Sequence, residues 1–185
     1  MRYVALLRGI NVGGKNKVPM SELRDCFKQL GFTDVLTYIN SGNILFSTPK
    51  KVDAVELIEI CETAIERRFG FKVVATVIAK DQFLQAVEHA PAWWNTLPDT
   101  RNEALFVIPP TLASEVLKEM QRNVLRVDRF AVSGPIIFWT LPKDEYGKSV
   151  VAKIIGTPMY KRLTIRNANT TKKLETLFSV TEEEV

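Results

Sequence analysis

Five residues recur at one fixed spacing. Tyr38, Ser41, Gly42, Ile44 and Phe46 reappear as Phe130, Ser133, Gly134, Ile136 and Phe138, every pair 92 positions apart. A repeat of this length in a chain of 185 residues means two copies of one supersecondary unit, each small enough to be a single layer of helices on a sheet. The order of elements inside each copy agrees. In the first, Tyr3 to Arg8 is a short apolar run bounded by Gly9, which predicts a buried strand. Pro19 suits the first turn of a helix, and Met20, Leu23, Phe27 and Leu30 carry its apolar stripe to the stop at Gly31. Val35–Asn40 and Ile44–Ser47 predict two strands joined by a Ser-Gly-Asn turn. Leu57, Ile58, Cys61, Ile65 and Phe69 predict a second helix over Asp53–Phe69, ended by Gly70, and Val73–Ile78 a last strand. A connecting helix, Asp81 to Glu88, and a loop around Trp93 and Trp94 follow. The second copy then predicts a strand at Ala104–Ile108, a helix at 112–122, strands at Val127–Val132 and Ile136–Leu141, a helix near Ser149–Ile155, and a strand near Leu163–Arg166. A final helix is expected over Thr171–Phe178.

Both copies therefore read β-α-β-β-α-β, the ferredoxin-like split unit. The expected fold is α+β, two ferredoxin-like βαββαβ halves with mostly antiparallel sheets, an internal duplication and an extra C-terminal helix. The division is 1–79, a connecting helix and loop at 80–102, and 103–185 with the acidic tail Glu182, Glu183 and Glu184. With 46% hydrophobic and 25% charged residues, the chain has the composition of a globular protein that needs no staple.

Scarcity narrows the chemistry. One histidine and two cysteines are too few for a zinc site or a disulfide framework, so neither metal nor cofactor is expected. His89 reads as a helix C-terminal residue and Cys26 and Cys61 as core residues. No segment has the length of a membrane span or a secretory leader, which leads to the expectation of a cytoplasmic protein without a membrane partner.

The two halves differ at one place. After its first strand the first half has a long glycine- and asparagine-rich loop, Gly9 to Val18, where the second half has only Pro109 to Thr111. Long loops in compact domains tend to carry function. This one nearly spells a P-loop: Gly9, Gly14 and Lys15 fit G-x-x-x-x-G-K, but Asn16 replaces the hydroxyl that would hold magnesium. An antiparallel sheet is also the wrong frame for nucleotide hydrolysis. Consecutive amides in the loop, with Arg8 and Lys15, still suit an anion. The split-unit topology puts the turn Asn40-Ser41-Gly42-Asn43 at the same end of the sheet. The candidate ligand-binding residues are Arg8, Gly9, Asn11, Gly13, Gly14, Lys15, Ser41, Gly42 and Asn43. Arg166, Asn167 and Asn169 form a third polar cluster, in which Asn169 or Thr170 is expected to cap the last helix. Arg68 to Val73 has the letters of an RNA-recognition signature, but it lies between a helix and the fourth strand, so Phe69 and Phe71 read as core. Ser149 and Lys153, one helical turn apart, fit a nucleophile pair in spacing, while capping explains Ser149 more simply.

Three segments carry a family resemblance: ALLRGINVGGKNKVPM, YINSGNILF and TIRNANT. They resemble the bacterial family named only as domain of unknown function 1697, over nearly the whole chain from Met1 to about Phe178. The third segment more often reads R-N-W-N-T in that family, and Ala168 stands here where tryptophan is common. The stretch Tyr146-Gly147-Lys148-Ser149 is similar to a further family segment. The resemblance implies two ferredoxin-like halves and no established activity. The expected function is binding of an anionic small molecule or nucleic acid at loop 9–18 and hairpin 40–43. A metal-independent small-molecule enzyme on the same site and a protein-interaction module pairing through its sheet edges are the alternatives.

Overall fold

The computed structural model describes residues 1–122 and 127–180; the acidic tail from Glu182 lies outside them. The chain forms two compact units, Met1–Asp81 with Leu174–Val185, and Gln82–Lys173.

In the first unit β1 (Arg2–Arg8), α1 (Met20–Gln29), β2 (Thr33–Tyr38), β3 (Asn43–Ser47), α2 (Ala54–Phe69) and β4 (Val74–Ala79) follow in order. The sheet runs β2-β3-β1-β4, and every pairing in it is antiparallel. Period two along β1 sends Tyr3, Ala5 and Leu7 into one core with Ile44, Phe46, Ala75 and Val77. Leu23 and Phe27 of α1 and Leu57, Cys61 and Ile65 of α2 close that core. Phe27 meets Phe46 edge to face at 5.4 Å, a contact whose loss to alanine costs about 3–5 kcal/mol with the cavity included. Val4 and Leu6, on the other face, are equally buried, which is why β1 reads as an unbroken apolar run rather than an alternation. Asp53 caps α2 by accepting from the Val55 amide at 2.8 Å, and Gly70 ends it with a left-handed backbone.

The second unit repeats the plan. After α3 (Lys80–Glu88) come β5 (Thr100–Val107), α4 (Ala113–Gln121), β6 (Arg129–Ser133), β7 (Ile136–Pro142), α5 (Val150–Ile154), β8 (Leu163–Asn167) and α6 (Ala168–Leu177). The order β6-β7-β5-β8 is that of the first sheet, strand for strand, again with antiparallel pairs throughout. The 16-residue α2 has only the five-residue α5 as its counterpart, flanked by 3-10 turns at Lys143–Lys148 and Tyr160–Arg162. Asp128 supports this short helix. Its carboxylate accepts from Trp139 Nε1 at 2.8 Å, Ser149 Oγ at 2.6 Å and the Val150 amide at 3.0 Å. Ser149 in turn accepts from the Val151 amide. It is the cap, and its proton goes to Asp128 rather than toward Lys153.

Three features differ from the sequence reading. β5 starts at Thr100 rather than Ala104, because Arg101, Asn102 and Glu103 hide a strand behind polar letters. α6 starts at Ala168 rather than Thr171, and its cap is Asn167, whose Oδ1 accepts from the Thr170 amide at 2.8 Å, not Asn169 or Thr170. The repeat itself aligns β3 with β7 but not the turns. Tyr38 pairs with Asn43 across a four-residue turn, whereas Ser133 pairs with Ile136 across two residues. Ser41 and Ser133 are therefore not equivalent positions.

Candidate functional site

The loop between β1 and α1 is a small hairpin in its own right. The Asn11 amide donates to Asn16 O and the Lys15 amide to Val12 O, both at 3.0 Å. Gly13 and Gly14, with φ of 57° and 76°, make the two-residue turn in which both central residues need positive φ. The turn and both lysines beyond it, Lys15 and Lys17, are exposed. Neither lysine forms an ion pair among the described residues.

Asn11 ties this hairpin down. Its Nδ2 donates to Val18 O at 3.0 Å and Asn40 O at 2.9 Å, and its Oδ1 accepts from the Val18 amide at 2.8 Å. The bond to Asn40 brings the loop against the β2–β3 turn, as the split-unit topology requires. Gly42 completes the contact: its carbonyl accepts from the Leu7 amide at 2.8 Å. A Cβ at Gly42 would lie 2.7 Å from Leu7 Cβ and 2.8 Å from Ile10 Cδ1. Asn43 is fully buried and donates to Tyr38 O and Ser41 Oγ. Asn11, Gly42 and Asn43 thus build the frame of the site, and of the three only Asn11 also reaches its surface.

That surface is a cavity of about 370 Å³ lined by Asn11, Gly14, Lys17, Val18, Pro19 and Asn40. Pro19 is also the N-cap of α1, and no side chain caps this helix. The first amides of a helix point back along its axis toward the cap, which here lines the cavity. The helix starts five residues past Lys15, so the P-loop arrangement of lysine and helix N-terminus is not formed. Arg8 ends β1 opposite Val74. Nearby, burial raises the Glu62 carboxyl above its ordinary range. The Ala75 amide, bonded to Glu62 Oε1 at 2.8 Å, and the Arg8 charge offset only part of that rise.

The third polar cluster lies in the second unit and separates into two roles. Arg166 is 7% exposed and donates to Thr164 Oγ1 and Ile165 O, both at 2.9 Å. Burial pulls its pKa down to about 10, opposed by Tyr160, so it remains charged at neutral pH but is covered. Asn167 and Asn169 are exposed and line an open cleft of about 650 Å³ with Asn95, Arg101, Lys143 and Tyr146. The sequence singles out Asn167 and Asn169 but not Arg101, Lys143, Lys17 or Pro19. Arg101 lies in a stretch that reads as a connector, and a lone lysine or proline carries no motif.

The remaining candidates have structural roles. His89 Nδ1 sits 2.8 Å from Gln85 O, Cys26 and Cys61 are buried thiols, and Phe69 and Phe71 pack beside the first core. Among the described residues no three His, Cys, Asp or Glu are grouped to hold a metal ion, and no helix is long and apolar enough to cross a membrane.

Residues 1–138 match the family described as protein of unknown function (DUF1697). The chain is similar to a solved structure, the conserved bacterial protein SP0830 from Streptococcus pneumoniae. The two are 34% identical, with a TM-score of 0.84 over 95% of this chain and 97% of that one. No curated protein matches the chain.

Proposed function

The chain belongs to the DUF1697 family, whose description assigns no activity, and we propose from its own residues that it binds a phosphate-bearing anion at the loop 9–18. The observation that carries this reading is the uncapped start of α1 at a cavity that Lys17 also lines. A helix N-terminus without a side-chain cap has amides to give, and an anion there gains from both the amides and the dipole. Gly14 keeps side-chain bulk away from the cavity wall, and Lys15 and Lys17 add two cations. Arg8 and Gly9, at the end of β1, set where the loop leaves the sheet. Asn11, Ser41, Gly42 and Asn43 act as the frame that keeps the loop against the β2–β3 turn. Because the lysines are exposed, binding should weaken with salt.

Calorimetric titration with inorganic phosphate and a panel of phosphate monoesters tests this. Removing both lysines in Lys15→Ala/Lys17→Ala should weaken the best binder by about tenfold, the sum of two exposed charges acting near a helix N-terminus. An affinity unchanged in the double variant, or no binding by any member of the panel, would refute the assignment.

A further inference from the structure

The cleft of the second unit holds an arrangement that the loop site lacks. Arg101, Asn102 and Glu103 open β5, and Arg101 is fixed on two sides. Glu103 Oε1 accepts from Arg101 Nη2 at 2.6 Å and from Nε at 2.8 Å. The guanidinium carbon lies 4.1 Å from the centre of the Tyr146 ring. Glu103 is buried, with 10% of its side chain exposed, while 41% of the Arg101 side chain is open. The buried carboxylate neutralises Arg101 and holds its guanidinium over the tyrosine ring. What remains for a ligand is less a charge than a planar group already seated over an aromatic ring. Planar bases stack on such guanidinium faces.

The rest of the wall divides in the same way between fixed and spare groups. Asn102 is used within the wall: its Nδ2 donates to Thr100 Oγ1 at 2.9 Å and its Oδ1 accepts from the Asn95 amide at 3.0 Å. Arg166, three residues before Asn169 in sequence, is covered and does not line the cleft. Asn169 is exposed and its side chain has no partner among the described residues. An amide side chain offers a donor and an acceptor side by side, the pair that a nucleobase edge complements. Lys143, with 65% of its side chain exposed, reaches Asp99 only at 3.8 Å and can turn to a phosphate. The cleft volume of about 650 Å³ is in the range of small-molecule sites.

We infer that this cleft binds a mononucleotide, its base stacked on Arg101, its edge met by Asn169 and its phosphate by Lys143. The inference is independent of the loop site in the first unit.

The test is calorimetry on the full chain with adenosine monophosphate, guanosine monophosphate, adenosine and inorganic phosphate. At least one monophosphate should bind more tightly than phosphate alone. Asn169→Ala and Arg101→Ala should each weaken it by about tenfold, the size expected of a lost stacking or edge contact. Lys143→Ala should weaken the monophosphate but not the nucleoside, and the losses caused by Asn169→Ala and Lys143→Ala should persist in full when Lys15→Ala/Lys17→Ala has removed the charges of the loop site. Arg101→Ala strands Glu103 in the interior, so its fold is checked by circular dichroism. Should it fail to fold, Asn169→Ala and Lys143→Ala, both at exposed side chains, decide the matter alone. Monophosphates that bind no better than phosphate, full affinity in both exposed-site variants, or a single-stranded oligonucleotide that outcompetes every mononucleotide would overturn the inference.

Discussion

Gly42→Ala should be the most destabilising of the alanine replacements at turn glycines, and the reason is geometric. Gly42 has φ of 76°, and a left-handed backbone costs an L-residue roughly 1–2 kcal/mol. That cost is shared by Gly70, at 78°, and Gly134, at 52°. The surroundings differ. A Cβ at Gly70 meets nothing within 4 Å and one at Gly134 stands 3.5 Å from Ala86 Cβ, whereas at Gly42 it would lie 2.7 Å from Leu7 Cβ and 2.8 Å from Ile10 Cδ1. Ile10 Cδ1 is the end of a side chain and can turn away. Leu7 Cβ cannot, because it is fixed to the backbone of β1, which is bonded on both edges. Moving the turn outward instead stretches the bond from the Leu7 amide to Gly42 O, now 2.8 Å. Overpacking of this kind adds roughly 1–3 kcal/mol, for a total of about 2–5 kcal/mol against about 1–2 kcal/mol at the other two glycines. Urea unfolding followed by far-ultraviolet circular dichroism measures the difference. Trp93, Trp94 and Trp139 all lie in Gln82–Lys173, so tryptophan fluorescence separately reports the unit that does not contain Gly42. A midpoint for Gly42→Ala equal to that of Gly70→Ala would refute the packing argument.

Two further outcomes follow from buried titratable groups. Glu62 is held above its ordinary carboxyl value of 4.5 by burial, so the unfolded chain loses this proton first. The stability tied to the protonated acid is full below pH 4.5 and is lost as pH rises toward the raised folded value. Glu62→Gln keeps an acceptor for the Ala75 amide and removes the titration. Unfolding free energies should therefore show the wild type losing ground to the variant across that window, and a difference that stays flat with pH would contradict the assignment. The thiols give the second outcome: burial raises both, Cys61 further through Cys26 and Glu62, while Arg68 offsets part of the rise at Cys26. Native protein at pH 8 should react slowly with a thiol reagent, Cys26 before Cys61 and both at once on unfolding; full labelling of the native protein on mixing would be the contrary result.

Strand order, sheet direction and the meeting of loop 9–18 with the β2–β3 turn are all legible in the sequence, because they rest on apolar periodicity and on glycines that mark element ends. The polar elements are less so. Thr100–Glu103 carries no apolar alternation, since Glu103 is buried by pairing with Arg101 rather than by being apolar. The start of α6 reads three residues late because asparagine suits a cap at 167 or 169 equally well, and only the Thr170 amide decides between them. At the candidate site two kinds of residue share one letter. Asn11 and Asn43 look like ligand contacts in sequence and prove to bind backbone, since an amide side chain that satisfies a loop and one that meets a ligand are spelled alike.

The asparagines with carbonyl neighbours in this loop and its adjoining turn, Asn11, Asn16 and Asn43, are consumed by the turns they stabilise. A tight turn exposes more backbone polar groups than its own ladder can satisfy, so the nearest short amide is recruited. The groups left over are those whose reach exceeds the turn, Lys15 and Lys17, and those whose cap is missing, the first amides of α1. The glycines matter in the same sense: Gly13 and Gly14 permit the turn and Gly42 permits its close approach to β1. The anion binding proposed for this loop therefore has to draw on lysine charge and uncapped helix amides, and replacing the frame residues should change stability before it changes affinity.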